Sequence, residues 1–310
     1  MNRLSPVRTL ALASLVAVGA TAVLGGCNRK TSGTRVARED MALVPRETDI
    51  AFMVNVHRAR KSPLWKKLVD ARDQSAEAKK EYDEFVKKCQ IDPLNQVDSI
   101  FLALPNNADQ SHEYALLLRG GFPPESVLGC ARRAAQDNAR QELKEVEYNG
   151  HKLYTTNQTD LMTVLDKGLV AFGGKEWIRK VVDLHDGRTP GEGAKDHKEL
   201  AALLSRTRTG QLFFGAGLVP PKVGESLKRN SQLGAAAGMT SLFGSLDAQQ
   251  GVEFHLGMDL SDEAAAGEMA GRLKEQLANA RKTATVQLMG LSSYFDAVKR
   301  LPPAQIEAID

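Results

Sequence analysis

The chain has 310 residues, enough for one large domain or two of ordinary size. Apolar residues make up 42% and charged residues 25%, which provides for a buried core and argues against wholesale disorder. A net charge of +3, from 41 basic and 38 acidic side chains mixed along the chain, argues against a nucleic-acid binder with one dominant basic face; three cysteines exclude a disulfide-rich miniprotein.

Residues 1–26 read as a signal peptide. Arg3 and Arg8 form a positive start, and Leu10 to Leu24 is an uncharged apolar run of 15 residues. That run is shorter than the roughly 20 residues a spanning helix needs. Small residues then lead to a cysteine: Leu24-Gly25-Gly26-Cys27. This segment resembles the lipobox of bacterial lipoproteins. The resemblance implies recognition of Leu24, Gly25 and Gly26 by a signal peptidase and cleavage before Cys27. It also implies a diacylglyceryl thioether on Cys27 and a further acyl chain, such as palmitate, on its new amine. Several acyl chains anchor stably where a single one is marginal. In that family an Asp after the cysteine favours the inner membrane. Asn28 stands here, which points to the outer membrane. Cleavage also removes Arg3 and Arg8 and leaves a nearly neutral mature chain.

Residues 27–43 are polar after the cysteine and read as a flexible tether, with a span of roughly 20–25 Å. Thr48 to Val56 is a β-rich run. Ser62-Pro63 is a helix start, and the apolar spacing of Leu64, Trp65, Leu68 and Val69 continues it. Helical spacing resumes at Tyr82, Phe85, Val86 and Cys89, with a solvated face or a break over Asp73 to Lys80. Val97–Leu104 and Glu113–Leu118 read as strands, and Pro123-Pro124-Glu125 opens a further helix.

Asn149-Gly150 predicts a two-residue hairpin turn, and Asp166-Lys167-Gly168 a second turn. A short helix spans Lys175 to Leu184. Residues 187–195 carry three Gly and one Pro and read as a linker. Beyond it the order seen before recurs: a strand at Gly210–Leu218, a helix after Pro220-Pro221, strands near Thr240–Phe243 and Val252–Leu260, and a helix from about Asp262 to Lys282. The expected fold is α+β. It has two related strand-helix-strand-strand-helix units, 44–186 and 196–310, with a mostly antiparallel sheet. The tail after Thr283 offers no strong closing strand, so the second unit is expected to borrow an edge from the first in one continuous sheet.

No catalytic constellation emerges. There is no G-x-S-x-G elbow; Ser245 lacks the second glycine. His57 and His255 stand alone. Asp183, His185, Asp186, Asp196 and His197 form the closest metal-like group, but they sit beside or within the predicted linker, which gives ligands no support. The run Gly168 to Lys175 imitates a phosphate loop, yet misses its spacing and lacks the Ser/Thr, and reads as a tight strand-to-helix turn. No cofactor and no metal are expected. Trp65 and Trp177 read as core residues.

Cys89 and Cys130 are the candidate disulfide, since export reaches an oxidising space and both fall on helices of one unit. Two buried thiols are the alternative. The reading that follows is a lipid-anchored, non-enzymatic interaction or scaffold protein of the cell envelope. Its partners are the membrane, through Cys27, and an envelope protein or ligand, with no nucleic acid. A carrier of an apolar or amphipathic ligand is the alternative, and an enzyme built from scattered residues the third. Beyond the lipobox the chain resembles envelope lipoproteins in general, a resemblance that assigns no functional residue.

Overall fold

The computed structural model describes residues 32–106, 113–139, 142–228, 234–249 and 253–280. The signal segment with Leu24, Gly25, Gly26 and Cys27, and the tail after Thr283, lie outside the described residues.

The first described element departs from the expected tether. Ser32–Leu43 forms helix α1, and Ala37, Met41 and the following Val44 are buried. They lie at i, i+4 and i+7, one face of a helix. Arg35, Arg38 and Glu39 between them masked the pattern. From Val36 onward the segment is therefore packed, not free.

β1 (Ile50–Asn55) runs into a short helix, α2 (Val56–Ala59). Ser62 caps α3 (Pro63–Gln74), its hydroxyl accepting the Trp65 amide at 3.2 Å. Ser75 ends α3 and caps α4 (Ala76–Cys89), so the polar stretch from Asp73 to Lys80 holds a break. α5 (Pro93–Gln96), β2 (Val97–Leu104), β3 (Ala115–Gly120) and α6 (Pro124–Ala139) follow. β4 (Lys144–Tyr148) and β5 (His151–Thr155) form the predicted hairpin. Asn149 (φ 51°) and Gly150 (φ 84°) both have positive φ, as a type I′ turn requires.

β6 (Asp160–Asp166), β7 (Leu169–Gly174), α7 (Lys175–His185) and α8 (Lys198–Arg206) come next. The sequence reading has no helix at α8, although its buried Leu200 and Leu203 are three apart and His197 caps it. β8 (Phe213–Leu218), α9 (Pro221–Lys228), β9 (Met239–Asp247), β10 (Glu253–Leu260) and α10 (Glu263–Ala280) complete the described chain.

The ten strands form one antiparallel sheet in the order β10-β9-β8-β1-β2-β3-β7-β6-β5-β4. The fold is α+β, and its two repeated units meet where β1 pairs with β8. The register repeats as well as the order. Phe52 faces Leu102, which faces Leu116; Gly215 faces Gly244, which faces Leu256; and Phe52 faces Gly215 across the junction.

The stretch 187–195 is not a loose linker. Gly193 bridges Pro45, the Arg46 amide donates to the Glu192 carbonyl at 2.8 Å, and the Ala194 amide donates to the Val44 carbonyl at 2.8 Å. Ala194 is fully buried. The boundary marks a repeat in sequence inside one continuous sheet.

The core lies on one face of that sheet. Met53, Phe101, Leu117, Ala171, Leu153 and Phe214 point inward from six strands, and α1, α7 and α8 cover them. α7 supplies Trp177, Ile178, Val181 and Val182.

Candidate functional site

Strand alternation sends the intervening residues to the opposite face, and there the sequence is apolar too. One row across the register reads Phe52, Leu102, Leu116, Phe172 and Met162. The next reads Val54, Ile100, Leu118, Val170 and Val164, continued on the other side of β1 by Phe213 and Leu246. An antiparallel sheet with one solvated face ordinarily alternates apolar with polar. Here both sets are apolar, yet the inner set is the more deeply buried; of the outer rows named only Val170 is buried. Phe52, Phe172 and Leu242 are 36–37% exposed.

Two aromatic pairs shape this outer face. Phe52 stacks on Phe213, with ring centroids 6.0 Å apart. Its ring lies over Gly215, where a Cβ would fall 2.3 Å from the ring, so a glycine is required at the junction. Tyr114 meets Phe172 edge-on at 5.8 Å. Burial, then the nearby Asp160 carboxylate, pushes the Tyr114 hydroxyl up to about 12. Contiguous apolar surface of this kind marks binding surfaces.

A different surface lies on α4. A shallow, open depression there is lined by Ala76, Lys79, Lys80, Asp83, Glu84 and Lys87. Among the described residues no helix is long and apolar enough to cross a membrane.

The residues singled out in the sequence fall as follows. Cys89 and Cys130 are joined as a disulfide that ties α4 to α6. The phosphate-loop imitation is strand and turn: Gly173 pairs with Ala115, and the Trp177 amide in the first turn of α7 donates to the Glu113 carboxylate at 2.9 Å. That helix start already holds an anion from its own chain. Trp177 is buried, whereas Trp65 is only half-buried. His57 lies 2.9 Å from the Lys61 amine. His255 sits beside the Phe243 ring, and burial lowers its pKa. Ser245 is buried in the inner row.

The metal-like group divides. His197 caps α8 and faces Asp49, with Asp196 beside it, while Asp183 and His185 belong to the last turns of α7 and Asp186 caps that helix. Three of the five in the group thus rest on or cap helix α7, not on a linker. It also gains a neighbour from β5, His151, which sequence reasoning missed because the two lie 34 positions apart. The Asn149-Gly150 turn, which places His151 at the start of a strand, was the available signal.

No protein-family model and no curated protein matches the sequence. The chain is similar to solved structures of TP0453. Crystal form III aligns at a TM-score of 0.44 with 10% identity, over 74% of this chain and 84% of that one. Crystal form I aligns at 0.43 with 9% identity, over 76% and 85%.

Proposed function

We propose that this chain is a lipid-anchored protein of the cell envelope, held through acyl chains on Cys27, that acts as a non-enzymatic interaction module. The observation that carries this reading is the outer face of the sheet: adjacent apolar rows with Phe52, Phe172 and Leu242 left partly in water. Burying such a surface releases about 25 cal/mol per Å² of apolar area. The near-neutral mature chain gives no electrostatic reason for an anionic partner, so the occupant that fits best is the apolar face of another envelope protein.

The test places a photo-crosslinking residue at Phe172 in intact cells, with Lys180 on the helical side as control. The reading expects an adduct of protein mass from position 172 and none from 180. An adduct of lipid or small-molecule mass supports the carrier reading instead. No adduct at 172, or equal adducts at both positions, removes the assignment of this face. The anchor is tested separately. Cys27→Ser is expected to leave an unprocessed or soluble form. A mature Cys27→Ser protein that still needs detergent ends the lipoprotein reading.

A further inference from the structure

We propose that His151, His185 and Asp186 bind one divalent transition-metal ion of the zinc class and thereby clamp the β4–β5 hairpin to the end of α7. His151 opens β5 directly after the type I′ turn. His185 is the last residue of α7, and Asp186 is its C-cap. Three donors therefore come from two elements with defined backbone geometry.

The donors converge on one point. His151 Nε2 lies 2.9 Å from Asp186 Oδ1, and His185 Nδ1 lies 3.2 Å from the same oxygen. All three atoms fall within 4.8 Å of one another. Around a tetrahedral zinc with bonds of about 2.0–2.2 Å, neighbouring ligand atoms lie roughly 3.3 Å apart. Small ring rotations bring the trio to that spacing.

Two of the three ligands are also held from behind. His185 Nε2 lies 2.9 Å from Asp166 Oδ2. When Nε2–H donates to Asp166, Nδ1 carries its lone pair toward Asp186. A carboxylate behind a ligating imidazole fixes its tautomer and raises its basicity. Asp186 Oδ2 accepts from Arg188 Nε at 3.2 Å. Asp183 pins the hairpin, accepting from the Tyr148 hydroxyl and the Asn149 side-chain Nδ2 at 2.7 Å each. The two imidazoles meet edge to face, their planes 89° apart. This pre-ordering separates the trio from an ordinary surface cluster.

The chemistry of the donors selects the ion. Two imidazole nitrogens and one carboxylate suit zinc and its neighbours, whereas calcium and magnesium take oxygen ligands. The three side chains are 20–21% exposed, so solvent reaches the site and a fourth position stays open. The clamp has a mechanical purpose: β5 joins β6 through two residue pairs, Leu153 with Thr163 and Tyr154 with Met162, and β4 is an exposed edge.

The test uses the full chain, purified in detergent without a polyhistidine tag and stripped with a chelator. It is titrated with Zn²⁺ by calorimetry and weighed by native mass spectrometry. The expected result is one Zn²⁺ per chain and a melting temperature that rises with zinc. His151→Gln and Asp186→Asn are each expected to weaken binding at least about tenfold, and Asp166→Asn by roughly 10–100-fold, with His57→Gln unchanged. Melting in chelator checks that the variants fold. Asp166→Asn keeps all three ligands, so it tests the site even where a ligand variant misfolds. Absence of stoichiometric zinc in the wild-type chain overturns the proposal. So does zinc bound as tightly by folded His151→Gln or Asp166→Asn as by the wild type.

Discussion

Arg119 on β3 donates its Nε to the fully buried Asp40 on α1 at 2.7 Å, a polar tie between the N-terminal helix and the sheet beside the apolar packing of Ala37 and Met41. Burial raises the Asp40 carboxyl to about 6, outweighing the pull of Arg119. Its other oxygen, Oδ2, is buried without a hydrogen-bond partner.

Below pH 3.8 Asp40 is protonated in both the folded and unfolded chain. As pH rises toward about 6, the unfolded carboxyl ionises while the folded one keeps its proton, so stability is lost. The loss is complete above the folded value and amounts to roughly 3 kcal/mol. Urea unfolding at pH 4 and pH 7 should show most of this difference, about 2 kcal/mol, in the wild type relative to Asp40→Asn. Equal pH dependence in the two proteins would contradict it.

The disulfide gives a mass and a stability. The unreduced chain should be about 2 Da lighter than the reduced one, the two hydrogens lost as the bond forms. The bond spans a separation of 41 residues, for which chain entropy gives about 4 kcal/mol. Cys130→Ser should lower stability by an amount of that order under oxidising conditions. It should change little once reductant is present.

The two faces of the sheet should respond in opposite ways. Ile178 is fully buried under the inner face, so Ile178→Ala should cost about 2–5 kcal/mol. Phe172 is 37% exposed on the outer face, and Phe172→Ser should cost less than about 2 kcal/mol. Phe172→Ser should nonetheless abolish crosslinking from a probe placed at Phe52. Chemical denaturation measures the first pair of effects and intact-cell crosslinking the second.

The start of α7 offers a smaller effect. Glu113 lies on the approach to β3, yet its carboxylate accepts the Trp177 amide at 2.9 Å, a capping bond made across the fold. Glu113→Ala should destabilise by about 1 kcal/mol, within the range of lost helix caps. Glu113→Gln should retain part of that, because the amide oxygen still accepts.

Local chemistry was readable in the chain itself. Asn149-Gly150 announces its turn because few residue pairs tolerate positive φ at both positions. Ser62-Pro63 announces a helix start for equally local reasons: a hydroxyl that accepts an orphan amide, then a residue with no amide to satisfy. The repeated order of strands and helices is visible because each apolar run has its own period. The helix at Ser32–Leu43 escaped because its apolar stripe is thin and its buried member Asp40 is charged. Only Arg119, 79 positions away, makes that burial tolerable.

Sequence alone thus determined most of the element types and their order, apart from α1 and α8, all carried by neighbours within a few residues. Tertiary structure decided three further matters. It joined β1 to β8 so that the units share one sheet, it laid 187–195 against Pro45, and it carried His151 to His185. Each rests on contacts between distant segments, whose partners are chosen by complementary faces and backbone hydrogen bonds that no local pattern encodes.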